Sequence, residues 1–289
     1  MQTERRISVV MTCHNRRERT VSCLEGLFAQ ELPSDAGGME IFLVDDGSED
    51  GTEREVRRLF PQVRMLRGDG RLYWCGGMRR AFSRAMEEDP DFYLWLNDDT
   101  ALMPGAVRSL VRTYDRFSGE GSPLHIVVGS TCDPVTGRWT YGGVVRCSRW
   151  HPFRYAPVLP SSAPVPCHTF NGNCVLIHRE VARRVGNLDP SFTHAIGDTD
   201  YGLRAEKSGC SMWVAPGFLG NCTRNPAGMR WDSSRIPARK RIASLSSPKG
   251  FPVREMKVFA KRHGGWGWPL FWVMPVVRGV LFPSNHTDR

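Results

Sequence analysis

The 289-residue chain has no C-x-x-C pair, although it carries nine cysteines, at 13, 23, 75, 132, 147, 167, 174, 210 and 222. An odd, scattered set without that spacing argues against zinc frames and disulfide scaffolds, and predicts reduced thiols in the cytosol. No secretory leader is apparent, because the N-terminus runs straight into a β-branched stretch. No clean membrane-spanning run is present either. The most apolar stretch, residues 264–282 (GGWGWPLFWVMPVVRGVLF), is short and is broken by Pro269, Pro275, Arg278 and Gly279. A Walker loop is missing, and Gly68 and Gly70 lack the third glycine and the spacing of a dinucleotide fingerprint. The basic residues form no helix-turn-helix, zinc-finger or RNA-binding signature, which excludes nucleic acid as the expected partner.

What remains is an ordinary globular composition, 40% hydrophobic and 24% charged, on a chain long enough for one large α/β domain or two small ones. The net charge of +9 is concentrated. Between residues 221 and 262 there are eleven Lys/Arg against two acids, Asp232 and Glu255, so this segment carries the whole excess. Such a block suits a phosphorylated substrate or an anionic surface.

Residues 92–100, FYLWLNDDT, organise the rest. Five bulky apolar residues without helical spacing read as a central strand buried on both faces. The strand stops on Asn97, Asp98 and Asp99. At the C-terminal edge of an open α/β sheet, where ligands bind, adjacent carboxylates repel unless a cation or solvent relieves them. That predicts an oxygen-ligated Mg²⁺ or Mn²⁺ shared with a phosphate, or else a solvated turn with Asp99 or Thr100 capping the next helix.

The preceding chain repeats this grammar. A strand at 7–12 ends on Cys13, His14 and Asn15 and is followed by a helix over 16–30. A second strand, 39–44, stops on Asp45 and Asp46, with a helix over 52–60. A short strand at 63–66 leads into the glycine-rich loop 67–77 (RGDGRLYWCGG), which can lay backbone N–H groups and Arg71 against phosphates, and then a helix over 78–88. Three or four βα repeats with polar strand ends at one edge describe a nucleotide-binding half. After residue 100 the alternation loosens: a helix over 104–117, a strand at 125–130 and a hairpin whose arm is 138–145. A proline-rich connector at 148–166 is expected to be a mobile loop over the site. Strands at 174–177 and 211–215 follow. Asp198 and Asp200 open a helix, where they either complement its dipole or supply a base. His194, just before them, reads as structural.

The strings VMTCHNR (10–16), VDDGSEDGT (44–52), WCGGMRRA (74–81), LWLNDDT (94–100) and GDTDYGLRAEKSG (197–209) resemble family 2 glycosyltransferases of the GT-A fold, above all bacterial enzymes building surface polysaccharides such as O-antigen and capsule. The resemblance covers about residues 5–225, split into a nucleotide-sugar half (1–100) and an acceptor half (101–225). It implies an α/β fold around one mixed sheet, a nucleotide-sugar donor (UDP or dTDP), Mn²⁺ or Mg²⁺, and inversion at the anomeric carbon. Carried over, Thr12, His14 and Asn15 would line the base pocket, and Asp45 or Asp46 would hold the base or ribose. Arg71, Trp74, Gly76 and Gly77 would approach the diphosphate and sugar, with Asn97 and Asp98 alongside. Asp99 would hold the metal, with Asn97 replacing the first aspartate of the usual D-x-D. Asn221 stands where the family's late metal histidine is expected. Asp198 would be the general base, with Gly197 replacing the glutamate before it. Asn171, Gly172, Asn173 and Asp200 would face a saccharide or lipid-diphosphate-linked acceptor.

Residues 226–289 form a basic and aromatic extension. Its tryptophans beside cations suit the interface of an anionic membrane at the inner leaflet; packing on the domain or a homodimer contact is the alternative. Rival functions are a degenerate sugar- or nucleotide-binding protein and a nucleotidyltransferase. The latter usually needs a glycine- and lysine-rich N-terminal phosphate loop, which CHNRRE is not.

Overall fold

The computed structural model describes residues 4–118, 121–224, 232–233 and 235–282. Its first half is β1 (Arg5–Cys13), α1 (Arg17–Phe28), β2 (Ala36–Asp45), α2 (Thr52–Leu59), β3 (Arg64–Arg67), α3 (Tyr73–Glu87) and β4 (Phe92–Leu96). These strands are parallel, in the order β3, β2, β1, β4. The chain steps outward from β1 and then returns to its other side. The crevice beyond the C-terminal ends of β1 and β4 is therefore the topological switch point. β4 is buried along its whole length, as a strand covered on both faces must be.

The second half is β5 (Ala101–Leu102), α4 (Ala106–Ser118), β6 (His125–Cys132), β7 (Trp139–Tyr141), β8 (Gly143–Arg146), β9 (Tyr155–Pro157), β10 (Val165–Pro166), β11 (Thr169–Phe170), β12 (Cys174–His178), α5 (Arg179–Val185), α6 (Gly197–Lys207) and β13 (Ser211–Asn221). β12 runs antiparallel between β4 and β6 and makes the sheet mixed. Its register pairs Cys174 with Leu96, so residues 171–173 emerge beside Asn97 at the same edge. β8, β9 and β11 form a small separate sheet.

Four expectations change. The helix predicted from residue 78 starts at Tyr73, so Trp74, Gly76 and Gly77 lie on α3 and not in a loop. A β-carbon on Gly77 would lie 2.1 Å from Thr12 Oγ1; the glycine is there so that α3 can press on β1, which outweighs its poor helix propensity. The arm expected over 138–145 divides between the two sheets, β7 pairing β6 and β8 pairing β9 and β11. The connector at 148–166 is anchored, since β9 and β10 pair with β8 and β13 and Val158 is buried. Finally, the last strand runs on to Asn221, where it pairs with β5.

The extension folds as α7 (Ala238–Ser244), α8 (Val253–His263), a 3₁₀ turn (Gly265–Gly267) and α9 (Trp268–Leu281). α8 buries Phe259 and Ala260, Phe259 meeting the rings of Phe153 and Phe192.

Candidate active site

A cleft of about 320 Å³ opens at the switch point, lined among others by Thr12, His14, Asp46, Trp74 and Asp98. Three chain reversals build it. After β1, His14 Nδ1 lies 2.7 Å from the Asp46 carbonyl oxygen, and Asn15, in the left-handed region at φ 51°, bonds Ser48 through its N–H and Glu49 through its side chain. After β2, Asp46 accepts the backbone N–H groups of Gly70, Leu72 and Tyr73 at 2.9, 3.2 and 2.9 Å. Its carboxylate shapes the loop into α3, while Asp45 caps Ser48 at 2.8 Å and does not line the cleft. After β4, Asn97 accepts from Trp74 Nε1 at 2.7 Å. An asparagine therefore serves at this position, fixing the indole that forms one wall.

Asp98 and Asp99 are buried side by side, their side chains each 6% exposed. Arg16, which the sequence reading passed over, bridges them, with Nη1 3.1 Å from Asp98 and 2.7 Å from Asp99. Burial still pushes Asp98 up to about 7, the guanidinium offsetting only part of it and Asp99 adding to it. The site thus retains a demand for positive charge. Among the described residues no three His, Cys, Asp or Glu cluster as a complete metal cage. Two adjacent carboxylates short of counter-charge are nonetheless the oxygen donor set that Mg²⁺ or Mn²⁺ takes when a substrate phosphate completes the shell, so the residues present fit a shared cation.

The late-histidine position resolves differently from the expectation. Asn221 Oδ1 faces Cys132 Sγ at 3.3 Å, whereas Cys222 Sγ points to Asp99 Oδ1 at 3.6 Å. Successive residues leave an extended strand on opposite sides, and the structure chooses the cysteine. Burial, then the charge of Asp99, raises Cys222 to about 12, so it is a protonated thiol donating to the carboxylate.

The acceptor candidates separate. Asp198 Oδ2 accepts Gly172 N–H at 2.9 Å and Oδ1 accepts Thr199 N–H at 2.7 Å. Gly172 lies between Asp198 and the Trp74 ring; a β-carbon there would be 2.7 Å from the indole and 3.4 Å from Asp198. Burial raises the Asp198 pKa, with the two N–H bonds pulling against it. Asp200, expected on the acceptor side, is instead wholly buried: Arg204, Arg262 and His263 reach it at 2.8, 2.7 and 2.8 Å. Positions two apart on a helix diverge by about 200°, so Asp198 turns toward Gly172 and the Trp74 ring while Asp200 turns away from them. Asn173 is buried with its amide 3.7 Å from Cys222 Sγ, and Asn171 donates its N–H to Gly142. Arg71 is exposed and does not line the cleft; Gly76 and Gly77 are buried in α3. Arg71, Gly76 and Gly77, expected at the diphosphate, thus stand outside the lining of this cleft.

Residues 8–186 match the family described as Glycosyl transferase family 2. The chain is 26% identical over 286 residues to the N-acetylglucosaminyl-diphospho-decaprenol L-rhamnosyltransferase of two Mycobacterium tuberculosis strains, with 86% of this chain and 82% of the relative covered. The fold is similar to the mannosyltransferase PcManGT from Pyrobaculum calidifontis, solved with GDP-Man and Mn²⁺ (TM-score 0.57, 15% identity, 96% of this chain and 72% of that one). It is also similar to GalNAc-T7, solved with UDP, GalNAc and Mn²⁺ (TM-score 0.58, 14% identity, 99% of this chain and 59% of that one).

Proposed function

The chain belongs to glycosyltransferase family 2 and has the GT-A fold, and from that premise we propose that it moves a deoxyhexose, rhamnose or a close analogue, from a UDP- or dTDP-sugar to a hydroxyl of a lipid-diphosphate-linked saccharide. The observation that carries this is the seating of Asp198 behind Gly172 and Trp74, whose indole lines the cleft together with Asp98, the partner of Asp99 on the Arg16 guanidinium. The rhamnosyltransferase relative supports the sugar and acceptor class.

The reaction is a single in-line displacement with inversion. The acceptor oxygen attacks the anomeric carbon as the bond to the diphosphate oxygen breaks, and Asp198 takes the hydroxyl proton. Two backbone N–H groups hold the carboxylate in place, each on a different oxygen, leaving lone pairs for the acceptor. Trp74, held by Asn97, orients the donor sugar. When bound, Mn²⁺ or Mg²⁺ at Asp99 and Asp98 would offset charge on the leaving diphosphate. Arg16 already neutralises part of the acidic pair.

Donor class and metal are tested together by thermal shift with UDP-, dTDP-, GDP- and CDP-sugars, with and without Mn²⁺. A ligand at about 100 times its Kd should stabilise the wild type by about 2.7 kcal/mol, and Asp99→Ala should lose the metal-dependent part. No shift with any donor would remove the donor reading of the cleft.

We place the enzyme at an anionic membrane. Leu270, Met274 and Leu281 are 62%, 56% and 65% exposed and their spacing puts them on one face of the terminal helix, with Trp266, 96% exposed, in the 3₁₀ turn before it. From residue 235 to 282 there are ten Lys/Arg and one acid, Glu255, which is buried and accepts Thr193 N–H. Among the described residues no helix is long and apolar enough to cross a membrane; the exposed apolar stripe and the excess of cations are what support a seat in the interface. Wild type should sediment with phosphatidylglycerol vesicles and not with phosphatidylcholine ones, and Leu270→Glu with Met274→Glu should stay in the supernatant. Equal sedimentation of the double variant, or a dimer in solution that the double variant splits, would refute it.

A further inference from the structure

The extension reaches the cleft as well as the surface. Lys249, in the turn between α7 and α8, lines the same cavity as Thr12, His14 and Asp98, and so does His194. The sequence reading set His194 aside as structural, yet its Nδ1 is buried without a hydrogen-bond partner. After burial, the charges of Lys249 and Arg16 are what hold this imidazole below its usual pKa, so the three groups converge on one space.

The placement of Lys249 is set by bonds on both sides of it. Phe251 N–H and Val253 N–H return to the Ser244 and Leu245 carbonyls at 2.9 Å each. Glu255 on α8 accepts Thr193 N–H at 3.1 Å, next to His194. At the far end of α8, Arg262 and His263 grip Asp189 and Asp200 on the segment leading through α6. The extension is thus stapled to residues 189–200, and its lysine comes to rest at the cleft.

The charge already at the cleft needs such a group. Asp46 is occupied by three backbone N–H groups and Asp98 by Arg16. A diphosphate entering beside them adds negative charge, and among the described residues no carboxylate pairs with Lys249. An ammonium on a flexible stem is a point charge suited to phosphate oxygens.

We propose that Lys249, contributed by the extension, is a donor-binding residue that holds the diphosphate of the nucleotide sugar together with Arg16, beside the His194 ring that lines the same space. This rests on the cleft being the donor site. It makes residues 1–225 an incomplete catalytic unit.

The test measures dissociation constants of UDP, dTDP and GDP, and of uridine, thymidine and guanosine, on the full chain as wild type, Lys249→Ala and Lys249→Arg. Lys249→Ala should weaken the preferred nucleoside diphosphate about ten-fold, the scale of one charged hydrogen bond, and leave its nucleoside unchanged. Lys249→Arg should restore most of the loss, and in turnover the donor KM should rise with kcat near wild type. An unchanged diphosphate affinity in Lys249→Ala, or an equal loss for the nucleoside, overturns the role of Lys249 and leaves the donor cleft standing. If the wild type binds none of the three diphosphates, the donor reading and this assignment fall together.

Discussion

Asp198→Asn is expected to lower kcat about 10³-fold while changing donor affinity by no more than roughly two-fold. The amide keeps the shape and can still meet one of the Gly172 and Thr199 N–H groups, but it cannot take a proton from the acceptor. Donor contacts lie elsewhere in the cleft, so KM for the donor should hardly move. The pH profile gives an independent reading. Burial holds the Asp198 pKa above its ordinary value, so the carboxylate is lost as pH falls through that raised pKa. The acid limb of the rate should accordingly sit above the usual aspartate value of about 3.9. Near wild-type turnover in Asp198→Asn, or an acid limb at or below an ordinary aspartate, would assign the base elsewhere.

The largest stability effect is expected at Asp200. Its side chain is fully buried and receives bonds from Arg204 on its own helix and from Arg262 and His263 at the end of α8. Asp200→Ala leaves those groups without their partner, a change that costs about 3–5 kcal/mol when a buried pair is broken from one side. Urea or thermal unfolding reads this directly. Burial alone would raise the Asp200 pKa, but the bonds from His263, Arg204 and Arg262 carry it below the ordinary value. A depressed folded pKa means that the stabilisation is present above the unfolded pKa of about 3.9 and disappears as pH falls through the folded one. Turnover should fall too, because the same helical turn carries Asp198. A loss under about 1 kcal/mol would mean that the cluster does not hold α8 to the catalytic helix.

Some of the misreadings have definite physical origins. Gly76 and Gly77 read as loop because glycine is a poor helix former, whereas the contact of Gly77 with Thr12, distant in sequence, outweighs that preference. Asn221 and Cys222 are adjacent in sequence, and which of them faces Asp99 is set by the pairing of β13 with β5 and β6. Arg16 stood in plain view after β1, but its partners Asp98 and Asp99 lie 82 and 83 residues on. No local signal marked Lys249 among ten basic neighbours, since a solvated cation and a ligand-binding one have the same pattern.

The sequence by itself determined the architecture of the first half and the chemical content of the cleft. A parallel strand buried on both faces must be a continuous apolar run, and polar residues at its end must lie at the sheet edge, so Asp46, Asn97, Asp98 and Asp99 were legible as neighbours before any coordinate was known. Only the tertiary structure decided which of the paired acids stay free to act. The antiparallel insertion of β12 brings Gly172 beside Asn97, the turn of α6 sends Asp198 toward Trp74 and Asp200 into a cluster of cations, and the packing of α8 carries Lys249 to the cleft. These are contacts across long stretches of chain, fixed by burial and register, and no periodicity within one segment encodes them.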